Sequence, residues 1–181
     1  MIILFKKMIP ICATLLFAAC DNGVSGDGFR TVTIGSQTWM VEDMQYEGSY
    51  SDDGIHTIHY TSDQYNWDLA QKACPSGWRL PSKGDWETLF ETVGGADRAG
   101  QKLMQRGGCK STSLNDFGFS SSGGSYWTTT HANNTTYCDQ VECPKNYIAN
   151  LGCPSAGFEK YSIVDKFGNS LGSYKVRCIQ R

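Results

Sequence analysis

The stretch W-D-L-A-Q-K-A-C-P-S-G-W-R-L-P-S-K-G-D-W-E-T-L, residues 67 to 89, decides the fold. Two helical patterns meet there at a proline-marked corner. Trp67, Ala70 and Cys74 recur at helical spacing, which predicts a first helix from Ser62 or Asp63 to Cys74, with one of those two residues as its cap. Pro75 cannot continue that helix, and the residue before a proline is pushed out of the α region. Ser82 predicts the cap of a second helix, with Asp85 three residues on as its capping-box partner. Trp86, Leu89, Phe90 and Val93 give this helix a buried stripe, and Gly94-Gly95 ends it. Between the two helices, Gly77 to Pro81 reads as a short extended segment.

Upstream of that corner, Arg30 to Ile34 alternates as a strand, Gly35-Ser36 turns the chain, and Gln37 to Val41 returns as the second arm of a hairpin. Glu42 to Thr57 is polar and rich in Gly, Tyr and Asp, the composition of a loop, and Ile58-His59-Tyr60 reads as a short strand. Downstream, Asp97 to Arg106 predicts a third helix with Leu103 and Met104 inward, stopped by Gly107-Gly108. Cys109 to Ser122 is loop-like, and Ser125 to Thr130 is a strand of aromatic and β-branched residues. His131 to Pro154 holds three cysteines and many asparagines, and reads as a loop stapled by disulfides. Tyr161 to Val164 and Ser173 to Ile179 are the expected closing strands, with Phe167-Gly168-Asn169 between them as a turn. There is no internal repeat and no second domain boundary.

The chain has 181 residues, 40% of them hydrophobic and 12% aromatic, enough for one domain with a sizeable core and too apolar for disorder. Its 20 glycines favour short strands and long loops over a helical bundle. A formal charge of −2 carries no basic footprint, so nucleic acid is not an expected partner. At the N-terminus, Lys6 and Lys7 precede an apolar run from Met8 to Ala19, too short to span a bilayer and suited to a secretory signal. The run ends Phe17-Ala18-Ala19-Cys20, which resembles the lipobox of bacterial lipoproteins. That resemblance implies a signal peptide over residues 1–19, lipidation of Cys20 as the mature N-terminus, and attachment to the cell envelope, at the outer membrane or cell surface. Residues 20–30 read as a flexible tether and residues 31–181 as the domain. Losing the two signal lysines lowers the formal charge from −2 to −4, so membrane attachment rests on the lipid and not on attraction to anionic headgroups.

Cys12 leaves with the signal and Cys20 takes the lipid, so six cysteines remain: Cys74, Cys109, Cys138, Cys143, Cys153 and Cys178. An even number in an exported protein reads as a disulfide framework, whose pairing the sequence alone leaves open. No Cys-x-x-Cys occurs, which speaks against a redox motif or a zinc ribbon.

The order of elements resembles the Fibrobacter succinogenes major paralogous domain. The resemblance is carried by Thr31 to Met40 (T-V-T-I-G-S-Q-T-W-M), by Cys74 to Ser82 (C-P-S-G-W-R-L-P-S) with Asp85, Trp86 and Leu89, by Phe117-Gly118-Phe119-Ser120, by Gly123-Gly124 with Tyr126 to Thr129, and by Val176-Arg177-Cys178. Such domains look like secreted or surface lipoproteins without an established activity. The layout is also similar to C-type-lectin-like domains and to formylglycine-generating enzymes, which share an Arg-Leu-Pro block, a Gly-Gly-Ser-aromatic strand and a late Arg-Cys. It implies an α+β, C-type-lectin-like fold, with two to three helices packed on short twisted antiparallel strands and long disulfide-braced loops. It also implies that Cys74 pairs with Cys178. Closing so long a loop stabilises by about 4–5 kcal/mol in the chain-entropy model. The other four cysteines have three possible pairings; Cys138 with Cys143 is the local candidate, which leaves Cys109 with Cys153.

Each chemical reading meets a plainer one. Formylglycine-generating enzymes bind copper through two cysteines after the glycine-rich strand, and soft thiolates suit Cu(I). Here the corresponding position is Thr128, and Cys138 and Cys143 come about ten residues late, so a disulfide is preferred to a metal site. Asn115, Asp116, Asn133, Asn134 and Asp139 offer oxygen ligands for calcium, but at turn-forming positions and with no compelling spacing. Trp39, Trp67, Trp78, Trp86 and Trp127 lie in patterned elements and read as core. His56 and His59 lack a third ligand, Glu42-Asp43 and Asp52-Asp53 read as solvated, and Asn133 and Asn134 match a glycosylation pattern that a bacterial lipoprotein leaves bare. The sequence calls for no catalytic residue, no metal and no cofactor. It supports a non-catalytic binding or display domain for a glycan, matrix or envelope protein partner, working through the loop from His131 to Phe158. The alternatives are a copper-dependent oxidase and a purely structural envelope protein.

Overall fold

The structure is a computed structural model that describes residues 22–26, 28–51, 57–109, 112–138, 141–162 and 172–181. At 22, 50–51, 57–60, 133–138, 141–144 and 161–162 only the backbone is described. The expected signal peptide, Cys20, His56, Asp52, Asp53 and Asp139 lie outside the described residues, as do the side chains of His59, Asn133, Asn134, Cys138 and Cys143.

The architecture is α+β, mostly antiparallel sheet with few helices. Ten strands are described: β1 (Asn22–Val24), β2 (Arg30–Ile34), β3 (Gln37–Met40), β4 (Tyr46–Ser51), β5 (Thr57–Ser62), β6 (Trp78–Arg79), β7 (Gly124–Cys138), β8 (Val141–Leu151), β9 (Ala156–Ser162) and β10 (Ile179–Gln180). They form three sheets, ordered β1-β2-β3-β10-β6, β4-β5 and β7-β8-β9. The helices are α1 (Trp67–Ala70), α2 (Lys83–Thr92) and α3 (Ala96–Leu103). Strand β10 is the stitch: Ile179 pairs with Trp39 of β3 on one side and with Arg79 of β6 on the other, so the end of the chain joins the first hairpin to the central corner.

Helix α2 forms as its sequence dictates. The Ser82 hydroxyl accepts from the Asp85 backbone N–H, and the Asp85 carboxylate accepts from the Ser82 backbone N–H, closing the capping box. Trp86, Leu89, Phe90 and Val93 are all buried. At the other end Gly94 and Gly95 have φ of 103° and 98°, and their N–H groups donate to the Glu91 and Phe90 carbonyls, the double bond of a Schellman cap.

Helix α1 is much shorter than the expected helix from Ser62 or Asp63 to Cys74, and Asn66 caps it instead. Tertiary structure overrides the local pattern. Ser62 still belongs to β5, and Tyr65 is held extended by two backbone bonds exchanged with Tyr174. After Ala70 the N–H groups of Lys72 and Ala73 donate to carbonyls three residues back, a tightened last turn that leaves Cys74 outside the helix. Helix α3 likewise ends at Leu103 rather than Arg106, because Met104 and Ser121 form a parallel bridge. Gly100 lies where α3 crosses the β8–β9 turn, and a Cβ there would sit 1.8 Å from the Gly152 carbonyl oxygen, so only glycine permits the approach.

Three stretches read as irregular are strand. Residues 22–24 of the supposed tether pair with β2. Residues 46–51 pair with β5 along their full length. Most of the expected loop from His131 to Pro154 is the long hairpin of β7 and β8, continued by β9. Conversely, the expected strand from Ser173 to Ile179 makes only bridges at Tyr174 and Lys175 before β10. Of the strand expected at Tyr161 to Val164, the first two residues close β9 and the rest lie outside the described residues.

All five tryptophans are buried. Trp39 and Trp86 meet at 4.8 Å between ring centroids, with Phe119 and Tyr126 around them, and a second cluster centres on Trp67 against Trp127 at 5.2 Å. Two disulfides brace these clusters. Cys74–Cys178 closes a separation of 104 residues and ties the end of the α1 turn to the residue before β10. Cys109–Cys153 closes 44 residues and ties the loop after α3 to the β8–β9 turn.

Candidate functional site

The Cys-Pro-Ser-Gly-Trp-Arg-Leu-Pro block walls a cleft of about 380 Å³. Cys74, Trp78, Arg79 and Leu80 come from the block itself, Trp67 and Gln71 from α1 and its cap, Thr129 and His131 from β7, and Arg181 from the residue after β10. Three segments far apart in sequence therefore meet, and local chemistry explains how. Trp78 N–H donates to the Pro75 carbonyl and turns the chain after the disulfide. The paired strands β6 and β10 bring Arg181 alongside Gly77 and Trp78: its backbone N–H donates to the Gly77 carbonyl and its Nε to the Trp78 carbonyl at 3.1 Å. The Thr129 N–H donates to the Pro81 carbonyl at 2.9 Å and fixes β7 to the block.

Arg79 is locked from behind. Its Nη1 and Nη2 donate to the two oxygens of Asp85 at 2.6 and 2.8 Å, a bidentate charge-assisted pair. Burial works to raise the Asp85 carboxyl. The bonds from Arg79 and from the hydroxyl and N–H of Ser82 more than offset it and hold the group down at about 2. The same carboxylate thus caps α2 and orients the guanidinium at the cleft. His131 stands edge-on to Trp67 at 6.3 Å. Trp67 keeps 9% of its surface exposed, so its indole contributes an edge to the cleft and most of its area to the core.

A second polar constellation lies inside the domain. Arg177 is 1% exposed; its Nε donates to Asp43 Oδ1 at 2.8 Å, its Nη1 donates to the Phe119 carbonyl, and its guanidinium lies 4.4 Å from the Phe119 ring centroid. Lys175 Nζ stands 3.5 Å from Asp43 and 3.2 Å from Asp63, and donates to the Ser122 hydroxyl. Tyr126 donates its hydroxyl proton to Asp43 at 3.2 Å, and burial, with the carboxylate's help, pushes its hydroxyl well above the usual phenol range. Asp43, read from sequence as solvated, is therefore 90% buried and paired. Nothing local in Glu42-Asp43 signals this, because its partner lies 134 residues away. Arg177 was visible as part of Val-Arg-Cys; Asp43, Asp63 and Lys175 were not.

The other candidates are scattered. Asn115 has φ of 47°, and its side chain bonds Ser120 at both ends, which makes it a turn former in the loop before β7. Asp116 follows it, with its N–H on the Lys102 carbonyl. Among the described residues, no group of three or more His, Cys, Asp or Glu side chains could hold a metal ion. Cys109 and Cys153 are bonded to each other, and in the hairpin backbone Cys138 faces Val141 while Cys143 faces Thr136. No described helix is long and apolar enough to cross a membrane.

Neither the curated proteins nor the solved structures offer a match to the chain. A family model does, described as the Fibrobacter succinogenes major domain, over residues 32–180. That span contains the hairpin β2–β3 almost entire, the corner block with every cleft residue except Arg181, both disulfides, and Arg177. The chain belongs to the Fibrobacter succinogenes major domain family.

Proposed function

We propose that this chain is a lipid-anchored protein of the cell envelope whose single domain, a C-type-lectin-like frame, binds or displays a glycan, a matrix component or a protein partner without catalysing a reaction. One observation carries the reading: the block that is most distinctive in the sequence walls a cleft whose polar groups are fixed in advance. Asp85 holds Arg79, the Trp78 carbonyl holds Arg181 Nε, and Cys74 of the lining is fixed by its disulfide to Cys178. Preorganised donors at a cleft suit recognition, because little ordering remains to oppose association. The binding surface centres on this cleft and the adjoining β7–β8 hairpin, rather than on a free loop from His131 to Phe158.

The C-type-lectin-like assignment is supported by the disulfide between the end of the α1 turn and the residue before β10, and by the order of helices α1 to α3, the β7–β8–β9 sheet and the closing strand β10. The anchor is supported by the Ala18-Ala19-Cys20 ending of the signal-like run. Cys20→Ala tests the anchor: the protein is expected to move from the membrane fraction to the soluble envelope fraction, and an unchanged membrane fraction would refute lipidation at that residue. Capture of envelope glycans and proteins tests the binding role. Ligand retention is expected with the intact domain and at least tenfold weaker with Arg181→Gln; equal retention by both proteins rules the cleft out.

A further inference from the structure

We infer that the cleft takes a carboxylate-bearing saccharide, a uronic-acid chain whose acid group sits against Arg181 and Arg79 while the ring lies along the edge of Trp67. This rests on the binding reading above and narrows its ligand. The charge argument comes first. The chain as a whole is acidic at −2, yet no Asp or Glu lines this cleft. The charged and titratable side chains that line it are Arg79, His131 and Arg181. A cleft of one sign on a surface of the other concentrates ligands of the opposite charge.

Geometry says which anion. Guanidinium groups are planar forks that match a carboxylate two bonds at a time. Asp85 balances the charge of Arg79 from the far side, so this residue offers oriented N–H groups more than net charge. Arg181 is exposed, with only its Nε engaged on the Trp78 carbonyl among the bonds described, and it supplies the attraction. The rest of the lining favours a sugar over an acidic peptide. Gln71, Thr129 and His131 set an amide, a hydroxyl and an imidazole beside an indole edge, and a pyranose presents a rim of hydroxyls around an apolar C–H face.

The experiment is calorimetric titration of the full-length chain in detergent with three probes: oligogalacturonate, the same oligomer methyl-esterified, and oligoglutamate. Oligogalacturonate is expected to bind, and to bind at least tenfold more tightly than the other two. Its affinity should fall several-fold from 50 to about 500 mM salt, as expected for an exposed charge contact. Arg181→Gln and His131→Gln leave the Arg79–Asp85 lock and the disulfides in place. Arg181→Gln should lose about tenfold in affinity, with unchanged thermal unfolding, and His131→Gln a smaller factor. Equal binding of the esterified oligomer overturns the acidic class while leaving a glycan cleft standing. Equal binding of oligoglutamate overturns the saccharide. Absence of binding by all three overturns this inference alone, because capture of some other envelope ligand, lost in Arg181→Gln, would still support the broader reading.

Discussion

Arg79 and Arg177 make the same kind of contact and do opposite things with it. Each guanidinium donates two bonds to one aspartate. Arg79 finds Asp85 six residues away, at the rim of a cleft, with 38% of its side chain exposed. Arg177 finds Asp43 across 134 residues, with 1% exposed, between the rings of Phe119 and Tyr126. The first pair is a local device: it finishes a helix cap and leaves part of a charge-balanced guanidinium exposed at the cleft. The second is a long-range pin between the strap after β3 and the approach to β10. Burial decides which role an ion pair plays. A buried charge that loses its partner is strongly penalised, whereas a pair at the rim can reopen to water.

The contrast is broken most sharply at Arg177. Arg177→Met should cost about 3–5 kcal/mol, because it leaves the Asp43 carboxylate buried without its main partner and the Phe119 carbonyl without its donor. Urea denaturation measures it. The double variant Asp43→Asn with Arg177→Met should recover a large part of the loss, since the uncompensated charge is then gone. A single-variant loss below about 1 kcal/mol would mean that Lys175, which also stands beside Asp43, carries the neutralisation.

Asp85→Ala comes next, at about 2 kcal/mol, from the lost cap and the lost hold on Arg79 together. The acid limb of the stability curve checks the same group without mutation. Its carboxyl lies near 2 in the folded protein against 3.8 ordinarily. A depressed folded value means that its contribution is complete above about pH 4 and disappears as pH falls toward 2. Wild type should therefore lose about 2 kcal/mol more over that window than Asp85→Ala does. Parallel acid limbs would show that the pair contributes nothing to stability.

The two arginines also mark how far the sequence could be read. The ion pair of Arg79 and the cap it joins depend on neighbours within a few residues, so the cap at Ser82, the buried stripe of α2 and the glycine stop were legible. Nothing around Arg177 is local. The glycine and tyrosine composition before β5 hid a strand whose partner alone reveals it. The hairpin of β7 and β8 was hidden because its asparagines disfavour strand on their own, and Pro144 falls where the register slips between Ala132 and Thr136, a position at which a strand tolerates proline. The first helix failed in the other direction: Trp67, Ala70 and Cys74 keep helical spacing, but the bonds between Tyr65 and Tyr174 hold the preceding residues extended. Of the cleft, the block was visible in advance, and its partners His131 and Arg181 were placed only by the pairing of β7 and β10.

The smallest effect belongs to a third arginine, and it tests whether burial is the right axis. Arg30 pairs with Glu42 one residue from Asp43, so it lies close to the Arg177 pin in sequence and in space. Its side chain is 67% exposed and that of Glu42 is 45%. If proximity to the pin set the energy, Arg30→Gln would be costly. If exposure sets it, water and salt take over the lost contact, and the change should stay below about 1 kcal/mol and shrink further in about 0.5 M salt. Urea denaturation of Arg30→Gln beside Arg177→Met, at low and high salt, separates these. A salt-independent loss comparable to that of Arg177→Met would place Arg30 in the same buried network, and would extend the pin outward to the surface of the strap.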